Sequence, residues 1–230
     1  MDARPRCVFV TGGTGYLGRP LITRLLERGH QVRALVRPGS ETKLPAGCQV
    51  VFGNALNGIS YTEQIHPADT FVQLVGVSHP SPAKAAQFRS VDLASASGAV
   101  RAAGNAGVQH FVYLSVAHPA PVMKAYTQVR AECESLVRAS GLNATILRPW
   151  YVLGPRHRWP YVLLPLYRLL ELFPATRAGA LRLGLVTLEQ MTRALVRAVE
   201  NPCRGLRIVE VPELRVLSAF SAPTKIVSIA

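Results

Sequence analysis

The chain has 230 residues, 49% hydrophobic and 17% charged, enough to bury the core of one ordinary domain with a small appendage. Its formal net charge of +13 and pI near 10.4 raise nucleic acid as a partner, but the arginines are spread along the whole length. With no block of like charges, no zinc-finger spacing and no aromatic RNA-binding signature, composition argues against that class, and only a steep fall of binding with salt would revive it.

The start, Met1-Asp2-Ala3-Arg4-Pro5-Arg6, leads directly into an apolar strand without a signal region, and no run approaches the ~18 apolar residues of a membrane span. These features predict a cytoplasmic protein with no membrane span. Cys7, Cys48, Cys133 and Cys203 form no Cys-x-x-Cys pair and have no His at zinc-ligand spacing, so reduced, mainly buried thiols are expected, with no metal site.

The first element is an apolar strand, Val8-Phe9-Val10, followed by Thr11-Gly12-Gly13-Thr14-Gly15-Tyr16-Leu17-Gly18. Leu17, Leu21, Leu25 and Leu26 then recur at helical spacing, and Gly29 stands where a C-cap glycine belongs. A strand, a glycine turn and a helix start make a dinucleotide site. The glycines serve a tight turn, close approach of backbone to a pyrophosphate, and close helix packing, while the free N–H groups of the first helical turn attract the negative charge. Gly12, Thr14, Gly15, Tyr16, Leu17 and Gly18 are the candidate phosphate-loop residues.

Further strands are expected over 31–36, 50–52, 70–77, 110–115 and 144–147, the last stopped by Pro149, with a long small-residue segment over 83–104 and a helix over 125–140 ended by Gly141. Beyond them, Tyr161, Leu164, Tyr167, Leu170 and Phe173 form a helical stripe interrupted by Pro165. It reads as a core or cap helix, with a membrane-surface or partner-binding face as the alternative. Thr187 and Gln190 are spaced as a capping box before a helix to Glu200, Gly205 leads into a last strand over 206–211, and the tail from Pro212 has no firm pattern. The alternation predicts an α/β fold: a doubly wound parallel sheet over 1–150, with a small substrate-covering part over 151–230 integrated with it.

The Gly-x-x-Gly-x-x-Gly spacing resembles the extended and atypical short-chain dehydrogenase/reductases, including their NmrA-like, isoflavone-reductase-like and epimerase-like branches. The resemblance runs from about residue 6 to about residue 211. It implies a Rossmann-like fold and a nicotinamide dinucleotide. In NAD-specific sites an Asp or Glu near the end of the second strand accepts from the ribose 2′-OH. That position is Val36, which accepts nothing, and Arg33 and Arg37 bring guanidinium forks suited to a 2′-phosphate, so NADP is the expected cofactor, with NAD as the alternative. By the same resemblance Asn54-Ala55 and Val75-Gly76 line the adenosine side, the Asn54 carbonyl being an acceptor for the adenine amino group.

The family's chemistry uses a Ser after the fifth strand and Tyr-x-x-x-Lys on the next helix; here stand Ser115 and Tyr126-Thr127-Gln128-Val129-Arg130, with Arg in place of Lys. The resemblance assigns proton donation to Tyr126, polarisation of the substrate oxygen to Ser115, and electrostatic support and ribose binding to Arg130. One positive charge about 4 Å from a phenolate supplies about 4 kcal/mol at an effective dielectric near 20, and about 1 kcal/mol in water. Arg130 can therefore replace Lys only in a closed pocket. Pro149, Trp150 and Tyr151, in the family's Arg-Pro turn, are candidate pocket walls; Asp92 reads as a polar helix residue and His118 as a loop histidine.

Two functions follow: an NADP(H)-dependent reductase of a small carbonyl substrate, or a non-catalytic dinucleotide sensor or assembly factor that reports to a protein partner. A homodimer is compatible with either.

Overall fold

In the computed structural model, which describes residues 4–155 and 164–216, the strands are β1 Cys7–Thr11, β2 Gln31–Val36, β3 Gln49–Phe52, β4 Thr70–Gln73, β5 His110–Leu114, β6 Ala144–Arg148, β7 Tyr151–Leu153, β8 Leu185–Thr187 and β9 Leu206–Glu210. Seven of them form one parallel sheet in the order β3-β2-β1-β4-β5-β6-β9, and β7 and β8 form a separate parallel pair. The helices are α1 Gly18–Glu27, α2 Ala85–Gln87, α3 Ala94–Asn105, α4 Lys124–Ala139, α5 Leu164–Leu172, α6 Pro174–Arg182, α7 Leu188–Glu200 and α8 Val211–Val216; a π-helical stretch, Phe88–Leu93, joins α2 to α3.

Side chains alternate across each strand, so the apolar runs feed two cores, one on each face of the sheet. Phe9, Phe71 and Phe111 are in register across β1, β4 and β5, with neighbouring ring centroids 5.2 and 5.3 Å apart, beneath α3 and α4. Val8, Val10, Val72 and Val112 face the other way, onto Leu21, Ile22 and Leu25 of α1 and Met191, Leu195 and Val199 of α7. This is the doubly wound α/β sheet expected from the alternation.

The small residues over 83–104 have a packing reason. A Cβ on Gly58 would run into the backbone of Gly98 in α3, so the loop after β3 docks directly on that helix. At the C-terminal side, Gln190 N–H donates to Thr187 Oγ1 (3.1 Å) and Thr187 N–H donates to Gln190 Oε1 (2.8 Å), closing the capping box at the start of α7. α7 lies along α1, tied by Arg24–Glu189 (3.2 Å) and by Arg28 and His30 on Glu200.

Three expectations are corrected. β4 ends at Gln73 rather than 77, because Leu74–Val77 leaves the sheet and forms the lip of a crevice. The segment after β9 forms α8, with Val211 and Leu214 fully buried. Only Cys133 is buried; Cys7, Cys48 and Cys203 are half-exposed, and burial pushes the Cys48 thiol up to about 11. Tyr161 and the chain beyond 216 lie outside the described residues.

Candidate functional site

The strand order reverses between β1 and β4, and in open α/β sheets the crevice beyond the carboxyl ends at that point receives the ligand. The glycine loop occupies it. Gly12 has φ +76°, and a Cβ there would stand 2.9 Å from the Leu74 carbonyl carbon. A Cβ on Gly18 would collide with the backbone of Gly12 and Gly13. Internal packing thus demands glycine at both positions.

Gly15 is different. It is exposed, its φ is not positive, and the only neighbour of a Cβ would be the Gly12 carbonyl oxygen at 3.1 Å. Its bare backbone faces the crevice at the crest of the loop, beside Thr14. The α1 N-terminus, behind Leu17, has no side-chain cap and no acidic residue in its first turn. A cradle of backbone N–H groups free of carboxylates fits a pyrophosphate. Tyr16 reaches away from the loop, its hydroxyl lying against Gly154 just beyond β7.

On the β2–β3 side, Arg37-Pro38-Gly39-Ser40 closes a turn at the exit of β2, with Gly39 at φ +81° and Ser40 N–H donating to the Arg37 carbonyl (3.0 Å). This holds Arg37 exposed at the strand end. Arg33 does not join it: it lies mid-strand, in register with Phe9 and Gln49, and its charge acts on the Cys7 thiol at the far end of β1. Of the two arginines, Arg37 alone is exposed at the end of the strand.

Asn54 is bonded within its own loop. Its Oδ1 accepts from Leu56 N–H (3.0 Å), and its N–H donates to Ser60 Oγ (3.0 Å), so the side chain shapes the loop that carries Ala55. Val75 and Gly76 form the crevice lip, Val75 against Gly12 and Gly76 against Arg130 and Asp92.

Arg130, 5% exposed, is the centre of the β4–β5 side. Its Nη1 donates to the Leu114 carbonyl (2.9 Å) and the Tyr113 hydroxyl (3.2 Å), while Nη2 stands 2.7 Å from Asp92 Oδ1. Asp92 Oδ2 accepts from Val77 N–H (3.1 Å). Burial works against the Arg130 charge, and Tyr126, Tyr113 and Asp92 more than offset it; burial pushes the Asp92 carboxyl above its ordinary range, with Arg130 drawing it back. The half-buried Tyr126 ring lies 5.2 Å from the guanidinium carbon and 5.0 Å from the Phe88 ring. The structure therefore brings Tyr126 and Arg130 together, through the ring face.

It does not bring Ser115 to them by any hydrogen bond. Ser115 is 4% exposed, and its hydroxyl donates to Glu134 Oε1 (2.6 Å). The buried Glu134 also accepts from His118 Nε2 (3.1 Å) and from both Nε (2.9 Å) and Nη2 (2.5 Å) of Arg148, which itself reaches Glu210 (3.2 Å). Burial alone would raise the Glu134 carboxyl; Arg148, Ser115 and His118 together hold it below its ordinary value. Sequence reasoning missed Glu134 and Asp92. The signal for Glu134 was its place one turn after Arg130, on the face that carries Tyr126.

Pro149 is buried, its carbonyl accepting from Ala117 N–H (2.8 Å). Trp150 and Tyr151 follow, edge to face with centroids 5.5 Å apart, at the carboxyl edge of β6. Among the described residues no cluster of His, Cys, Asp or Glu could hold a metal, and no helix is long and apolar enough to cross a membrane.

Residues 12–162 match a family whose description is NAD(P)H-binding. The chain belongs to that family. It is 28% identical over 216 residues to a ceramide reductase of Caulobacter vibrioides, covering 93% of this chain and 66% of that protein. To the photosystem II assembly factor Ycf39 of Cyanophora paradoxa it is 28% identical over 149 residues, covering 61% of this chain and 44% of that one. The fold is also that of the Bordetella bronchiseptica enzyme WbmH in complex with NAD+, with a TM-score of 0.67 at 24% identity over 96% of this chain and 84% of WbmH. The chain spans about a third to two thirds of the length of the first curated relatives it matches.

Proposed function

We propose that the protein binds NADP(H) across the β1–β4 crevice and reduces a small carbonyl substrate. The observation that carries the reading is the pairing of a carboxylate-free glycine cradle at the α1 N-terminus with Tyr126 held over a buried, charged Arg130 on the β4–β5 side. The cradle would hold the pyrophosphate, Arg37 the 2′-phosphate, and Trp150 and Tyr151 would wall the substrate mouth. When bound, the reduced nicotinamide supplies a hydride to the carbonyl carbon. Tyr126 gives its hydroxyl proton to the carbonyl oxygen and regains one from water. Arg130, fixed by Asp92, Tyr113 and Leu114, favours the transient phenolate in a low-dielectric setting. Ser115 takes no part in this account, because its hydroxyl is committed to Glu134.

The reading is tested by NADPH oxidation across a panel of aldehydes, ketones and quinones. Tyr126→Phe should lower kcat by at least about a hundredfold, the scale of a positioned acid, and leave NADPH affinity nearly unchanged. Strong turnover that survives Tyr126→Phe would refute the assigned mechanism.

The engagement of both Nη groups of Arg130 and of the Ser115 hydroxyl supports a second reading, a dinucleotide-dependent sensor or assembly factor without turnover; the relative Ycf39 is by name an assembly factor. Inactivity of both the parent and Arg130→Lys across the panel, with NADPH binding intact, would favour it over the reductase.

A further inference from the structure

The two sides of α5 meet different surroundings. Tyr167 is turned inward, where the Trp150 indole N–H and Tyr151 approach its hydroxyl, and Glu171, one turn on, reaches Arg215 (3.1 Å). At about 100° per residue, Leu169 and Leu172 fall about 200° and 140° round the helix from Tyr167, on the opposite side. They are 52% and 76% exposed, and Phe173, where α5 gives way to α6, is 55% exposed. The corner between the helices is fixed: Thr176 Oγ1 donates to the Leu170 carbonyl (2.7 Å), and the N–H groups of Thr176 and Arg177 donate to the Phe173 carbonyl (3.1 and 2.9 Å). A hydrogen-bonded turn thus holds three large apolar side chains out in water, an arrangement that costs free energy until something covers them.

Charge selects the occupant. From Leu164 to Arg182 the sequence holds Arg168, Arg177 and Arg182 against the single acid Glu171, and that acid is committed to Arg215. Arg177 is exposed one turn beyond Phe173, and the chain as a whole carries +13. A second copy docking face to face would set these charges against their own kind. An anionic lipid surface instead takes apolar side chains into its acyl boundary and draws guanidinium groups to its headgroups. We propose that the outward side of the α5–α6 hairpin is a docking surface for anionic lipid, with Leu169, Leu172 and Phe173 entering the acyl boundary and Arg177 meeting the headgroup phosphates. Docking sets Trp150, which meets the inner side of the same helix, one helix thickness from the lipid.

The test is co-sedimentation of the full chain with vesicles of phosphatidylglycerol and phosphatidylcholine in equal parts, and with vesicles of phosphatidylcholine alone. The parent should bind the mixed vesicles and bind phosphatidylcholine at least about tenfold more weakly, the scale of a few arginines at a charged surface. The double variant Leu169→Gln with Leu172→Gln should lose at least about tenfold on the mixed vesicles, and Arg177→Ala about fivefold. These side chains are exposed, so the thermal transition of each variant should stay within a few degrees of the parent's, which shows that it is folded. Binding that survives the loss of both leucines would mean that net charge alone attracts the vesicles, and would overturn the proposal. A parent that leaves the vesicles in the pellet without it would do the same, as would a parent that fails to bind them but forms a dimer which the double variant abolishes. Vesicle binding is read without turnover, so its failure leaves the reductase reading standing.

Discussion

Gly15→Val should weaken NADPH by at least about a hundredfold while moving the thermal transition of the ligand-free protein by only a few degrees. The two effects separate because of what surrounds this glycine. A Cβ at Gly15 meets only the Gly12 carbonyl oxygen at 3.1 Å, a contact relieved by a shift of a few tenths of an ångström, and its φ suits an ordinary residue. The branched side chain would then project into the crevice in front of the α1 N–H groups, where the backbone must approach a phosphate. Gly18→Ala makes the contrast. Its methyl group would strike the Gly12 and Gly13 backbone, so folding itself should suffer. Binding is read by nicotinamide fluorescence and stability by calorimetry. A Gly15→Val protein that bound NADPH like the parent would mean the phosphate loop is elsewhere.

Glu134→Gln should cost about 3 kcal/mol of stability, because breaking a buried ion pair leaves the partner's charge uncompensated; the low end applies since Arg148 keeps Glu210. For a chain of this size that lowers Tm by roughly 6–12 °C. The sign of the pH dependence follows from a carboxyl held below its ordinary 4.5. Such a group stabilises the fold above that value and loses the contribution as pH falls through its folded value. The gap between parent and variant should therefore be full at pH 7 and narrow below pH 4.5. Ser115→Ala should cost about 1–3 kcal/mol, one hydrogen bond to a buried carboxylate, with little change in kcat. A hundredfold loss of kcat without loss of stability would return Ser115 to the chemistry.

Local patterns were readable because their causes are local. The capping box at Thr187 and Gln190, the glycine C-cap at Gly29 and the β1–loop–α1 signature each depend on residues within a few positions. What a distant partner decides was not legible. Leu74 to Val77 is as apolar as a strand, but it is lifted from the sheet to line the crevice, with Gly12 packed on one residue and Asp92 bonded to another. Arg33 and Arg37 look equivalent in sequence, yet four positions along β2 separate mid-strand from strand end. Ser115 was matched to a catalytic position by resemblance, while the acid that claims its hydroxyl lies 19 residues away on α4. Asp92 was hidden for the same reason, its partner Arg130 being brought to it only by the packing of α4 on the π-helical stretch.

The most direct measurement of the central claim is a fluorescence titration of the parent protein and Arg37→Ala with NADPH and NADH. The account predicts that the parent binds NADPH at least about tenfold more tightly than NADH, the scale of a charge-assisted contact to the 2′-phosphate, and that Arg37→Ala removes the preference by weakening NADPH alone. Equal affinities in the parent, or a preference that survives the loss of Arg37, would contradict it.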